Sequence, residues 1–437
     1  MRRMIARYRL TPIASICALV VSAAQSGSTQ AVEHSQKALP TAHRADAAAP
    51  LSIQKIRAAL ESTRSSLDGA AELAPFFERL HRLSSEASAE PAHILHFGDS
   101  HTAGDEWTAA LRNLFQKRFG RGGAGFSLAG QPFAGYRRVD ASGGSTPGWK
   151  AAGRGSGAGD GYFGLGGVSM AAEQAGQSVY LNTECDLIEI QYLQQPRGGN
   201  AALYDAGQLL WEFSTSGDLQ PEFRTFGVPP GAHRFRLTTT SAKPVRLFGW
   251  VTDKRQGITY ESLGLNGARA SVMLHWNEEM FATYLRRRDP ALIVLAYGTN
   301  EAGDHVDAER YEEMFSKLLS RLRRSSPEAA IVVVGPPDVT LRSLGRVRSA
   351  TEVDRIARAQ QNSAQSNGCA FWDMREHMGG AGSMSEWARA GLAQPDLLHF
   401  TAAGYHALAE ALFSDLMGYY ATYERIRSEV IEETSQD

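Results

Sequence analysis

His93-Ile94-Leu95-His96-Phe97-Gly98-Asp99-Ser100-His101 is the stretch that decides the fold. A short apolar run breaks off in Gly98-Asp99-Ser100, and Trp107 to Phe119 follows with apolar residues at helical spacing. That reads as a strand delivering a serine to the carboxyl edge of a sheet, where α/β folds place their sites, with a helix returning from it.

The same grammar recurs downstream. Leu292 to Ala296 and Ala330 to Val334 are short continuous apolar runs, typical of strands buried on both faces. Helical stretches separate them at Ser271 to Arg287, Ala308 to Arg324 and Glu352 to Gln365. Cys369 to Trp372 is a further strand, and Ala402 to Leu416 a closing helix. Upstream, Ser52 to Ser88 spaces Ile56, Leu60, Leu67, Leu73, Phe77 and Leu80 as two helices. Alternating strands and helices predict an α/β domain built on a parallel sheet.

Residues 130–255 break that rhythm. A Gly-rich region, Gly143 to Gly167, leads into alternating runs at Leu187 to Tyr192, Leu209 to Phe213, His233 to Leu237 and Val245 to Val251. Val228-Pro229-Pro230-Gly231 reads as a turn linking two of them. The expectation is an antiparallel β-sandwich inserted into the α/β domain, as a loop with neighbouring ends allows.

Length and composition set the frame. The 437 residues favour two structural units, with 43% hydrophobic and 21% charged residues in the ordinary globular range. A net charge of −2 argues against a nucleic-acid partner. The N-terminus has a basic start (Arg2, Arg3, Arg7, Arg9), an apolar Leu10 to Val21, and small residues at Ser22, Ala23 and Ala24. This predicts a signal peptide over 1–24, then a flexible linker over 25–50 and an exported protein with no stable membrane insertion. The address is periplasmic in a Gram-negative host and otherwise secreted. Cys185 and Cys369 remain after cleavage, either as one disulfide or as two buried thiols.

Four separated segments carry chemistry. Ester hydrolysis by a nucleophile needs an activated hydroxyl, a base, a group orienting the base, and donors for the oxyanion. Ser100 supplies the hydroxyl, and its own N–H points toward an oxyanion. Leu263-Gly264-Leu265-Asn266-Gly267-Ala268 offers Gly267 N–H as a donor, with Gly264 forming the turn. Tyr297-Gly298-Thr299-Asn300-Glu301 offers the Asn300 amide. Asp396-Leu397-Leu398-His399 places a carboxylate three residues before an imidazole, so that Asp396 orients His399 toward Ser100. Singly these are ordinary turns, caps and loops. Together, and in this order, they predict Ser100, Asp396 and His399 as catalytic and Ser100, Gly267 and Asn300 as the oxyanion hole.

This arrangement resembles the SGNH/GDSL hydrolase superfamily, whose members place Ser, Gly, Asn and Asp-x-x-His in four such blocks. The third block departs from the usual Gly-x-Asn-Asp, because Glu301 stands in the last position. The chain is most similar to bacterial peptidoglycan O-acetylesterases, through Phe97 to His101, Arg118-Phe119-Gly120 with Gly125-Phe126, Gly335-Pro336-Pro337-Asp338, and Phe371-Trp372-Asp373 before Met378-Gly379-Gly380. The resemblance implies an SGNH-like, flavodoxin-like parallel sheet over 51–129 and 256–437, and a carbohydrate-binding-module-like sandwich over 130–255. It implies removal of O-acetyl groups from a cell-envelope glycan through an acyl-enzyme, with no metal or cofactor. His101, beside the nucleophile, is expected to line the substrate site.

Rival readings use the same residues. An O-acetyltransferase would replace water by a sugar hydroxyl, and a lipolytic esterase would prefer long acyl chains. A non-catalytic glycan-binding protein would keep binding after Ser100→Ala. Trp149, Tyr192, Trp211 and Trp250 are candidate sugar platforms, though aromatics on alternating strands more often fill a core. Gly120 to Gly125 matches GxGxxG but follows a helix, the wrong context for a dinucleotide. No Gly-x-Ser-x-Gly elbow, Walker loop or HExxH occurs in the chain.

Overall fold

The computed structural model describes residues 55–58, 60, 67–85, 90–153, 159–343, 346–349 and 351–434. The expected signal peptide and linker lie outside them. Among the described residues no helix is long and apolar enough to cross a membrane.

Six strands form one sheet: β1 (Leu67–Asp68), β2 (Ala92–Gly98), β3 (Ile258–Gly264), β4 (Leu292–Ala296), β5 (Ala330–Val334) and β6 (Ala370–Trp372). Their order is β1-β6-β5-β4-β2-β3. All pairings are parallel except β1 with β6. Side chains alternate between two covered faces, so Leu292–Ala296 and Ala330–Val334 are apolar throughout and Ala92–Gly98 is interrupted only by His93 and His96. Ile94, Val294, Val332 and Trp372 point into one core, shared with the helices Glu106–Phe119 and Ala402–Thr434. Leu95, Leu295, Val333 and Phe371 point into the other, with the helices Ala308–Ser325 and Thr351–Ser366. Helices cover both faces, as the sequence pattern predicts.

Two helical expectations change. Leu67 belongs to β1, pairing antiparallel with Trp372 at the sheet edge instead of extending a helix. The stretch from Ser271 is broken in two, a 3₁₀ turn over Ala270–His275 and a helix over Glu278–Arg288. Asn277 stops the first and caps the second, its side chain accepting from Met280 N–H at 2.9 Å.

Between β2 and β3 the chain builds an antiparallel sheet of nine strands, starting at Gly123–Leu128 and ending at Val245–Asp253. Its spine is the pair Ser178–Gln194 and Gln220–Thr239. Val228 to Gly231 is not a turn linking two strands. It is an irregularity inside one long strand, where pairing resumes at Gly231↔Cys185 after leaving Gly227↔Leu187. Pro229 and Pro230 lack N–H groups and cannot keep the ladder, so the strand bends without reversing.

The two sheets are joined by core and by charge. Phe126 and Phe248 from the antiparallel sheet, with Phe163 from the loop before Val168, share a core with Phe97, Trp276 and Phe281. Arg288 donates to Glu261 on β3 at 2.7 Å and to Asp253 at 2.9 Å, all three being buried or nearly so. Cys185 and Cys369 are both free thiols, buried in different cores.

Candidate active site

β2 ends at Gly98, and the chain turns at once into the short helix Ser100–Ala103. Asp99 caps that helix by accepting His101 N–H at 3.0 Å. The turn requires glycine, because a Cβ at Gly98 would lie 2.1 Å from Thr102 Oγ1 and 2.8 Å from the Ala296 carbonyl. Gly264 serves a similar end. It is the last residue of β3 rather than the turn former, and a Cβ there would sit 2.2 Å from Ala103 N. Both glycines let the Ser100 helix sink against the sheet edge.

Ser100 Oγ lies 3.1 Å from His399 Nε2. On the far side of the ring, His399 Nδ1 lies 2.8 Å from Asp396 Oδ2. The other Asp396 oxygen accepts the N–H groups of Leu398 and His399, each at 3.0 Å, which fixes the carboxylate under the imidazole. Burial works to raise the Asp396 carboxyl, but the His399 contacts and these N–H bonds win and hold it below the ordinary range. Serine, imidazole and carboxylate therefore stand in line, at hydrogen-bonding distance, on a partly open surface.

Two other blocks reach the serine turn, one through Leu265 N–H to the Gly98 carbonyl at 2.9 Å and one through Asn300 beside Asp99. Gly267 occupies a turn closed by Ala268 N–H to the Leu265 carbonyl at 3.0 Å, and its φ of 70° is one that favours glycine. Neither Ser100 N–H nor Gly267 N–H donates to an acceptor among the described residues. The Asn300 side chain donates to the Ala268 carbonyl at 2.9 Å, which orients its amide beside that turn. Asp99, pushed up to about 6 by burial and opposed by the His101 N–H and Thr299, lies behind Asn300 at 3.5 Å.

His101 is 4% exposed. Its Nδ1 lies 3.0 Å from the Tyr405 hydroxyl, and its ring stands 5.3 Å, centroid to centroid, from that of His399. Burial, with the His399 charge, drops it to about 3, so it is a neutral neighbour of the base. Trp149, Tyr192 and Trp250 are buried in the antiparallel sheet's core, while Trp211 is half-buried, stacked on Phe213 at 4.4 Å.

Two features carry no signal in the linear chain. Asp105, just past the Ser100 helix, accepts from Arg112 at 2.7 Å and from Val139 N–H at 2.8 Å, tying the start of the insertion to the nucleophile segment. Glu301 is buried, its carboxylate turned toward the segment that follows Gly267. Such partners come from separate segments, and only folding pairs them.

A strand-end serine aligned with Asp-x-x-His, and flanked by a glycine turn and an asparagine, defines a class. The chain is similar to carboxylic ester hydrolases of the SGNH/GDSL superfamily: residues 234–407 match the GDSL-like Lipase/Acylhydrolase family. Among solved structures, a peptidoglycan O-acetylesterase is 26% identical, with 81% of this chain and 96% of that one covered at a TM-score of 0.67. A family two carbohydrate esterase from Cellvibrio japonicus is 12% identical over 64% of this chain and 99% of its own, at a TM-score of 0.28. No curated protein sequence matches the chain significantly.

Proposed function

We propose that the protein is a serine esterase that removes O-acetyl groups from a cell-envelope polysaccharide, specifically peptidoglycan, through an acyl-enzyme. The observation that carries this reading is the Ser100–His399–Asp396 line, at 3.1 Å and 2.8 Å. The likeness to a peptidoglycan O-acetylesterase supports the substrate.

In this mechanism His399 Nε2 takes the Ser100 proton as Oγ attacks the acetyl carbonyl. Asp396 keeps Nδ1 protonated and stabilises the imidazolium without taking the proton. Ser100 N–H, Gly267 N–H and the Asn300 amide hold the oxyanion. His399 then gives its proton to the departing sugar oxygen. Next it activates water, which attacks the acetyl-serine and releases acetate.

The insertion is proposed to act as a carbohydrate-binding-module-like sandwich. Its two longest strands, Ser178–Gln194 and Gln220–Thr239 with its irregularity at Pro229-Pro230, are suited to running through two packed layers. The basic and apolar N-terminus supports export, to the periplasm in a Gram-negative host.

The test is to incubate purified wild type and Ser100→Ala with O-acetylated peptidoglycan and follow free acetate. Release by the wild type alone is expected. Equal release by both proteins would remove Ser100 as nucleophile, and acetyl gain by an added glycan acceptor would point to a transferase. Activity on soluble esters should fall steeply beyond propionyl if the pocket is built for acetyl.

A further inference from the structure

The third block differs from the common pattern by carrying Glu301 after Asn300, and the structure gives that difference a purpose. Glu301 sits in the short helix Thr299–Gly303, with 1% of its surface exposed. Each carboxylate oxygen accepts one backbone N–H. Oε2 takes that of Gly298 at 3.1 Å, on its own corner, and Oε1 takes that of Ala270 at 2.8 Å, just beyond the Gly267 turn. Asn300 ties the same two segments through the Ala268 carbonyl, and Arg269 pairs with Asp304 across their exposed rim.

We propose that Glu301 is a positioning residue that clamps the Gly267 turn to the Asn300 corner and so sets the spacing of the two oxyanion donors those segments carry. The inference rests on the esterase reading above.

Three considerations support it. The outer Arg269–Asp304 pair is half exposed, where an ion pair holds geometry weakly. The inner carboxylate is costly to keep, since burial pushes it up to about 7 while the Ala270 and Gly298 N–H groups oppose that rise. A glutamate has two acceptor oxygens for two N–H donors. Glutamine would present an NH₂ to one of those donors, and aspartate is one methylene too short to reach both.

The experiment compares wild type, Glu301→Gln and Glu301→Asp on a soluble acetyl ester, with rates divided by active sites counted with a serine-directed phosphonate. Because the donors act on the transition state, kcat per site is expected to fall about 100-fold in both variants, with KM within about two-fold. In an Asn300→Ala background, Glu301→Gln should cost less than about ten-fold more, since both substitutions damage one device. A kcat per site within about three-fold of wild type, with only melting temperature lowered, would overturn the proposal. So would full multiplication of the two losses. Ser100→Ala is run alongside: hydrolysis surviving it would bring down the esterase reading itself, whereas an inactive Ser100→Ala beside a fully active Glu301→Gln sinks the clamp alone.

Discussion

Ser100 Oγ and His399 Nε2 meet at 3.1 Å across 299 positions of sequence. One comes from the end of β2, the other from the loop before the Ala402–Thr434 helix, and that helix packs on Glu106–Phe119, which leaves the serine turn. The serine and histidine segments are thus brought together by a helix–helix core. Removing either side chain should leave that core untouched.

Ser100→Ala and His399→Ala are therefore expected to lose acetate release by at least about 10⁴-fold while keeping their melting temperatures near wild type. Initial rates on an acetyl ester, with thermal unfolding of the same samples, check this. An active His399→Ala enzyme would mean that another group serves as base.

Asn300→Ala should lower kcat by about 10²–10³, or roughly 3–4 kcal/mol in barrier, if its amide binds the oxyanion as one donor among three. The readout is kcat and KM from steady-state kinetics. A change confined to KM would mean that Asn300 binds ground state and transition state alike.

Acid should destabilise the fold through its buried histidines. His96 is wholly buried, hydrogen-bonded to the Tyr260 hydroxyl at 2.8 Å, and burial depresses it from 6.5 to about 3. Above pH 6.5 it is neutral folded or unfolded, so its contribution is complete. As pH falls from 6.5 toward 3 only the unfolded chain takes the proton, and stability drops by about 1.4 kcal/mol per pH unit. His96→Gln should flatten the dependence by that amount, measured by urea unfolding at pH 7 and pH 5. An unchanged difference between the two pH values would show that His96 is already charged in the folded protein.

Arg288 pairs with Asp253 at the end of the antiparallel sheet and with Glu261 on β3. Arg288→Ala strands two buried carboxylates and should cost about 3–5 kcal/mol. Chemical denaturation measures it, and a loss below about 1 kcal/mol would mean that water reaches the pair.

Much of this protein was legible before folding was considered. The runs at 292–296 and 330–334 are apolar on every residue, and 94–97 on all but His96, because both faces of their sheet are covered, and a signal of that kind is local. Ser100, Gly267, Asn300, Asp396 and His399 stand out as candidates for a related reason, since each stands where a strand ends or a turn opens. What the linear chain left open depends on partners far apart in sequence. Gly264 looked like a turn former until Ala103 packed against it, and Pro229-Pro230 looked like a reversal until strand 178–194 ran past both halves of the bent strand. Glu301 had no role until Ala270 N–H reached its carboxylate. Periodicity and turn chemistry report what a segment does with its immediate neighbours. Which imidazole meets which hydroxyl is settled by how helices pack on the sheet, and no single stretch of the chain contains that information.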